Sequence, residues 1–359
     1  MIRIMRAVIF LLLLGFASFP LMAQDSQSLL KRIILSQEEE LIARAYDFAI
    51  TKEENIFLSD LRDQNIKLYD RSGQFIKSWK MRGQGPGEYQ SMGKINFMDP
   101  YLGILDLPGF KLVIYRLEKS QELEWIKNIQ SGSQSLSNFQ FYNNMAIFDG
   151  MVRDESGQYY LQSQDLEEKK HSLFLPTGER FRQSPKKGVL GPGGPYAEFS
   201  GLWGPIKGYL DVYDNHIYSV WNGRSEVIKI DMDTKKWEVF SQKSINYIQP
   251  DKRQRSQKEK ENWAHLKSVS WVKGVFADNN LVGIVYLTYD WKKSCYVPYL
   301  QTFNNDGVFQ KEAILEGASG DYPKQYFQVK YSRHTGRLYV LLTNEEDVSF
   351  EILVYQIRE

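Results

Sequence analysis

Two glycine- and proline-rich loops hold the residues best placed for chemistry: Gly85-Pro86-Gly87-Glu88-Tyr89 and Gly191-Pro192-Gly193-Gly194-Pro195-Tyr196-Ala197-Glu198-Phe199. Each sets an acid and an aromatic ring inside a tightly turning segment. Presented on a rim, Glu88, Tyr89, Tyr196 and Glu198 would grip a polar ligand by hydrogen bonding and stacking. The competing reading is that glycine and proline set a close turn while the rings plug a gap between packed elements. A phosphate cradle does not fit. Gly83-Gln84-Gly85 lacks the further glycine spacing, and no helix start follows that could hold an anion.

A second set of candidates falls in turns between short apolar runs: Asp60, Arg62 and Asp63; Asp106 and Phe110; Arg153 and Asp154; Trp221, Asn222 and Arg224; Asp290 and Trp291; Asn344 and Glu345. Acids, arginines and tryptophans in that mixture suit a sugar, a peptide or a polar protein segment. Catalytic spacing is missing, and no residue is assigned a catalytic role. His171, His216, His265 and His334 have neither the i, i+4 nor the HxH spacing of a zinc site. Gly317-Ala318-Ser319-Gly320 is one residue short of a nucleophile elbow. No cofactor is expected, although a central calcium could still form from carboxylates and carbonyls with no sequence motif.

The elements that would position these residues repeat. Residues 55–89 read as strand, turn, strand, turn and strand closed by the glycine-proline loop, with Gly73 supplying positive φ in one turn. The unit recurs near residues 95–126, 139–175, 208–240, 269–313 and 326–356. Strand units at a near-constant period predict an all-β fold, a six-bladed β-propeller, rather than a β-sandwich built on the same alternation or a seven-bladed ring. The last unit lacks a fourth strand. Residues 29–35, LLKRIIL, have no partner near them, so an N-terminal strand closing the ring is expected. Residues 251–266, rich in good helix formers with Trp263, Ala264 and Leu266 as an apolar foot, predict one short helix in an inter-blade insertion.

In a propeller the blade-to-blade connections and the second-to-third strand turns gather on one face. Residues 81–94, 181–207 and 241–267 are long connections of this kind, and long loops are usually functional or disordered. With residues 59–89 the chain resembles bacterial secreted six-bladed β-propeller proteins of the NHL/TolB-like type, through the aspartate ending a strand, KLYD, SGQF and Gly83-Gln84-Gly85-Pro86-Gly87-Glu88-Tyr89. The resemblance implies a six-bladed ring and a signal sequence. It brings no agreed catalytic residues.

The N-terminus carries Arg3 and Arg6, an apolar run from Val8, and a small-residue exit at Ala23. It reads as a signal peptide over residues 1–23, with one propeller domain over 24–359 and no stable membrane span after cleavage. The sole cysteine, Cys295, is far from that exit, so the chain is not read as a lipoprotein, and a periplasmic or secreted location is expected. One cysteine makes no internal disulfide, and a buried strand position is expected for it. Lys plus Arg number 45 against 44 Asp plus Glu, which gives no field to draw in nucleic acid. The expected function is therefore a non-catalytic exported propeller that binds a glycan, peptide or envelope protein on its long-loop face. The alternative is a metal-assisted hydrolase or lyase at the central channel, with Asp60, Asp106 and Glu88 as its acids.

Overall fold

The computed structural model describes residues 25–131, 138–154, 157–167, 171–176, 208–221, 225–248, 267, 269–320, 325–344 and 349–358. Two N-terminal strands, β1 (Asp25–Gln27) and β2 (Leu29–Ile34), lead into a run of antiparallel units. Blade 1 holds β3 (Ala45–Ile50), β4 (Ile56–Asp60), β5 (Asn65–Tyr69) and β6 (Phe75–Lys80). Blade 2 holds β7 (Met92–Met98), β8 (Tyr101–Asp106), β9 (Lys111–Leu117) and β10 (Leu123–Gln130). Blade 3 holds β11 (Phe139–Tyr142), β12 (Met145–Asp154), β13 (Gly157–Asp165) and β14 (His171–Pro176). Blade 4 holds β15 (Gly208–Tyr213), β16 (His216–Trp221), β17 (Val227–Asp231) and β18 (Trp237–Phe240). Blade 5 holds β19 (Trp271–Asp278), β20 (Leu281–Asp290), β21 (Cys295–Phe303) and β22 (Phe309–Leu315). Blade 6 holds β23 (Gln325–Ser332), β24 (Arg337–Asn344) and β25 (Ser349–Gln356).

The first strands of the blades contact one another in a closed series, β3 to β7, β11, β15, β19, β23 and back to β3. They line the axis, and the remaining strands of each blade step outward. The strands β4 and β5 are buried at every position, because each sheet is covered on both faces by its neighbours. Successive residues alternate between two interfaces. Ile56 and Leu58 pack with Leu341 and Ile352 of blade 6, whereas Phe57 and Ala49 pack with Ile104 and Val113 of blade 2. The same alternation around the ring produces six buried apolar clusters, one at each blade interface. Period-two side-chain geometry is thus enough to join the blades.

The strand β2 pairs antiparallel with β25, from Leu29 opposite Tyr355 to Ile34 opposite Glu351, and lies at the outer edge of blade 6. Ile33 and Leu35 are buried in the cluster shared with blade 1. A feature absent from the sequence reading is β1, which runs parallel to β22 and makes blade 5 five-stranded. Cys295 opens β21 and is half-buried rather than enclosed. No helical element occurs among the described residues, and no helix there is long and apolar enough to cross a membrane. The expected signal peptide and the helix over 251–266 lie outside the described residues.

Candidate binding face

Antiparallel pairing sends alternate connections to opposite ends of every sheet. The second-to-third strand turns and the blade-to-blade connections therefore share one face, here the loop face, while first-to-second and third-to-fourth turns occupy the other. Two of the acids predicted to present themselves on the loop face, Asp60 and Asp106, are turned inward, and Glu88 folds back onto its own loop.

Asp60 ends β4 with a fully buried side chain, and so is Lys67 on the adjacent β5, their Oδ2 and Nζ 2.8 Å apart. Asp60 also accepts hydrogen bonds from the backbone N–H groups of Ala43 at 2.7 Å and Arg44 at 2.9 Å, in the chain arriving from β2. Burial alone would raise its pKa. The Lys67 ammonium and these two N–H donors outweigh burial and hold the carboxyl below the usual carboxylate range. Lys67 further donates to the Leu41 carbonyl, so one ion pair fixes both the turn and the connection above it.

Asp106 repeats the device at the end of β8. Its side chain is fully buried, its Oδ1 accepts from the Ser91 N–H at 3.1 Å, and Lys111 lies 3.7 Å from Oδ2. In blade 3 the buried Asp149 accepts from the N–H of Asn138, again the residue entering the blade. A carboxylate on the second strand thus ties down the incoming chain in three successive blades. Asp60…Lys67 and Asp106…Lys111 were the legible trace of this in the sequence.

The loop 81–91 is a wedge between blades 1 and 2. Tyr89 is wholly buried and its hydroxyl donates to the Gln64 carbonyl at 2.9 Å. Burial pushes its phenol well above the ordinary range. Glu88 folds back so that Oε2 accepts from the Gly85 N–H at 2.7 Å, and Lys111 Nζ donates to the Glu88 carbonyl at 2.9 Å. Gly87 has φ +73°, and a Cβ there would lie 2.8 Å from the Trp125 ring. Gly87→Ala is therefore expected to cost about 1–3 kcal/mol, the range for a strained left-handed residue, read as a lowered urea midpoint. An unchanged midpoint would remove the turn-setting role.

What remains exposed on the loop face is partly apolar. Arg62 is exposed beside the Asp60 turn. Asp290 ends β20 and accepts from the N–H groups of Lys292 at 2.9 Å and Lys293 at 3.2 Å, which turns the chain and lifts Trp291 outward. Trp291 is 60% exposed and meets Tyr289 edge-on, with ring centroids 4.8 Å apart. Leu41, Phe110, Ile245 and Ile248, all in turns or connections of this face, are exposed as well. Arg153 lies in β12 opposite Gln158, and Trp221 closes β16 opposite Gly208. Tyr196, Glu198 and Arg224 lie outside the described residues. Among the described residues, no three His, Cys, Asp or Glu side chains gather to hold a metal ion.

Residues 31–184 match the family DUF5128, described as a 6-bladed beta-propeller. No curated protein matches the chain. A DUF4221 family member from Bacteroides vulgatus is similar in structure, at 12% identity and TM-score 0.62 over 94% of this chain and 99% of that one. So is a protein from Bacteroides fragilis whose name proposes export, at 11% identity and TM-score 0.54 over 94% and 98%. At such identities the likeness is one of fold. Six sheets, a closed series of inner strands and these matches agree that the chain is an all-β, six-bladed propeller.

Proposed function

We propose that the chain is an exported binding propeller that takes its partner on the loop face. The observation that carries this reading is that five exposed large apolar side chains, Leu41, Phe110, Ile245, Ile248 and Trp291, fall in turns and connections of that one face. Exposed apolar surface rimmed by polar residues suits an interaction site. Of the expected partners, glycan, peptide or protein, the aliphatic members of this set favour a polypeptide, since a sugar would use the aromatic rings alone. Arg62 and Asp290 supply polar contacts at the rim, and Arg153, Tyr196, Glu198, Trp221 and Arg224 belong to the same proposed face. Asp60, Glu88, Tyr89 and Asp106 shape it from beneath.

The reading takes residues 24–359 as one domain, released to the periplasm or beyond after loss of residues 1–23. It also has β2 close the ring, supported by its ladder with β25 and the burial of Ile33.

The test is capture from the native envelope by wild type and by the Phe110→Ala/Trp291→Ala double variant. Central aromatic anchors typically contribute about 2 kcal/mol or more, so retention should weaken on the order of 30-fold while the melting midpoint stays unchanged. Equal retention by both proteins would refute the loop-face assignment.

A further inference from the structure

The face opposite the loops carries a cavity of about 350 Å³, opening between the inner strands of blades 1, 2 and 6. Its walls differ in chemistry. Ala49 and Ile50 at the end of β3, with Phe97 and Met98 at the end of β7, give an apolar side. Lys52, Lys330, Arg333 and His334 bring cationic or protonatable groups to the same space, against Asp99 as the one acid in the lining.

The two inner cations are held rigidly. Lys330 Nζ donates to the Ile95 carbonyl at 3.0 Å and sits 3.3 Å from the buried Asp47 carboxylate. Asp47 serves Lys94 at the same time, at 3.4 Å. Arg333 donates through Nε to the Ala277 carbonyl at 2.9 Å and through Nη2 to Asp211 at 2.5 Å. Each cation is paired with a buried carboxylate that offsets its charge and fixes its position, so this wall of the cavity is preorganised and little ordering is lost on binding. The outer pair, Lys52 and His334, is exposed and makes no hydrogen bond or ion pair among the described residues. A concave site with an apolar wall and a few convergent polar groups has the form of a small-molecule site.

We propose that this cavity binds a small organic acid, its carboxylate directed to Lys52 and the Lys330 to His334 strand end and its apolar body laid against Phe97 and Met98. The proposal does not depend on the loop-face reading, since no residue is shared between the two.

Calorimetry on the mature chain with hexanoate, acetate and 1-hexanol separates the terms. Hexanoate should bind at millimolar concentration or tighter, with acetate, lacking the body, and 1-hexanol, lacking the charge, each at least tenfold weaker. The Lys52→Gln/His334→Gln variant changes only exposed side chains and should fold as wild type. It should weaken hexanoate about fivefold to tenfold, the loss expected for ion pairs at a partly open site. Ser332→Trp fills the cavity and should abolish binding. The proposal is overturned if hexanoate fails to bind wild type at tens of millimolar, if 1-hexanol binds equally well, or if neither variant weakens binding.

Discussion

Replacing Lys67 with Met lowers the stability of the ring by about 3–5 kcal/mol, because it leaves the Asp60 carboxylate buried without its counter-charge. Both side chains are fully buried, so solvent cannot substitute for the lost ammonium. Methionine keeps most of the apolar stem of Lys67, which confines the change to charge and to the bond with the Leu41 carbonyl. Asp60→Asn is destabilising as well, since it leaves the equally buried Lys67 ammonium without its counter-charge, although the amide oxygen can still accept from one of the Ala43 and Arg44 N–H groups. Wild type and Asp60→Asn also separate in acid. With a folded pKa below its unfolded value near 3.9, Asp60 contributes stability that is fully present above that value and lost as pH falls through the lower folded one. Wild type should therefore lose stability below about pH 4 more steeply than Asp60→Asn does. Urea midpoints between pH 3 and pH 7 check both points, and parallel pH profiles for the two proteins would contradict the pairing.

Starting the chain at residue 36 has the second large effect. It removes the β2 ladder on β25, the buried side chains of Ile33 and Leu35, and the Arg32–Glu351 ion pair at 2.5 Å. The loss is more than local, because β25 then becomes an open edge flanked by apolar Ile352 and Val354, and such an edge recruits other strands. The truncated protein should melt earlier and elute as soluble aggregate. The point variant Ile33→Ala isolates the packing part and should cost about 2–5 kcal/mol. A truncated chain that matches wild type in both melting and elution would show that β2 does not close the ring.

The blades were readable in the sequence because both faces of each sheet are covered. That produces short apolar runs such as IFLSD and NIKLY, bounded by Asp, Asn and Gly turns, and the orphan LLKRIIL segment pointed to its partner in the last blade. The strand β1 was not readable. Its sequence is DSQ, and it joins β22 through backbone hydrogen bonds that impose no side-chain pattern.

Site chemistry was less legible than fold for a related reason. Residue type shows that Asp60, Asp106 and Tyr89 can hydrogen-bond but not which way they point, and all three point into the protein. The lysines five to seven positions later were the available signal. The cavity between blades 1, 2 and 6 had none, because Thr51-Lys52 and Ser332-Arg333-His334 are ordinary turn and strand-end residues that meet only when the ring closes.

Hydrogen–deuterium exchange on the protein with and without its captured partner tests the central claim most directly. Residues 35–44, 107–110, 241–248 and 291–294 should gain protection, while the outer strands β10 and β18 exchange at an unchanged rate. Protection confined to β10 and β18, with the loop-face segments unchanged, would place the partner on the blade sides and contradict the account.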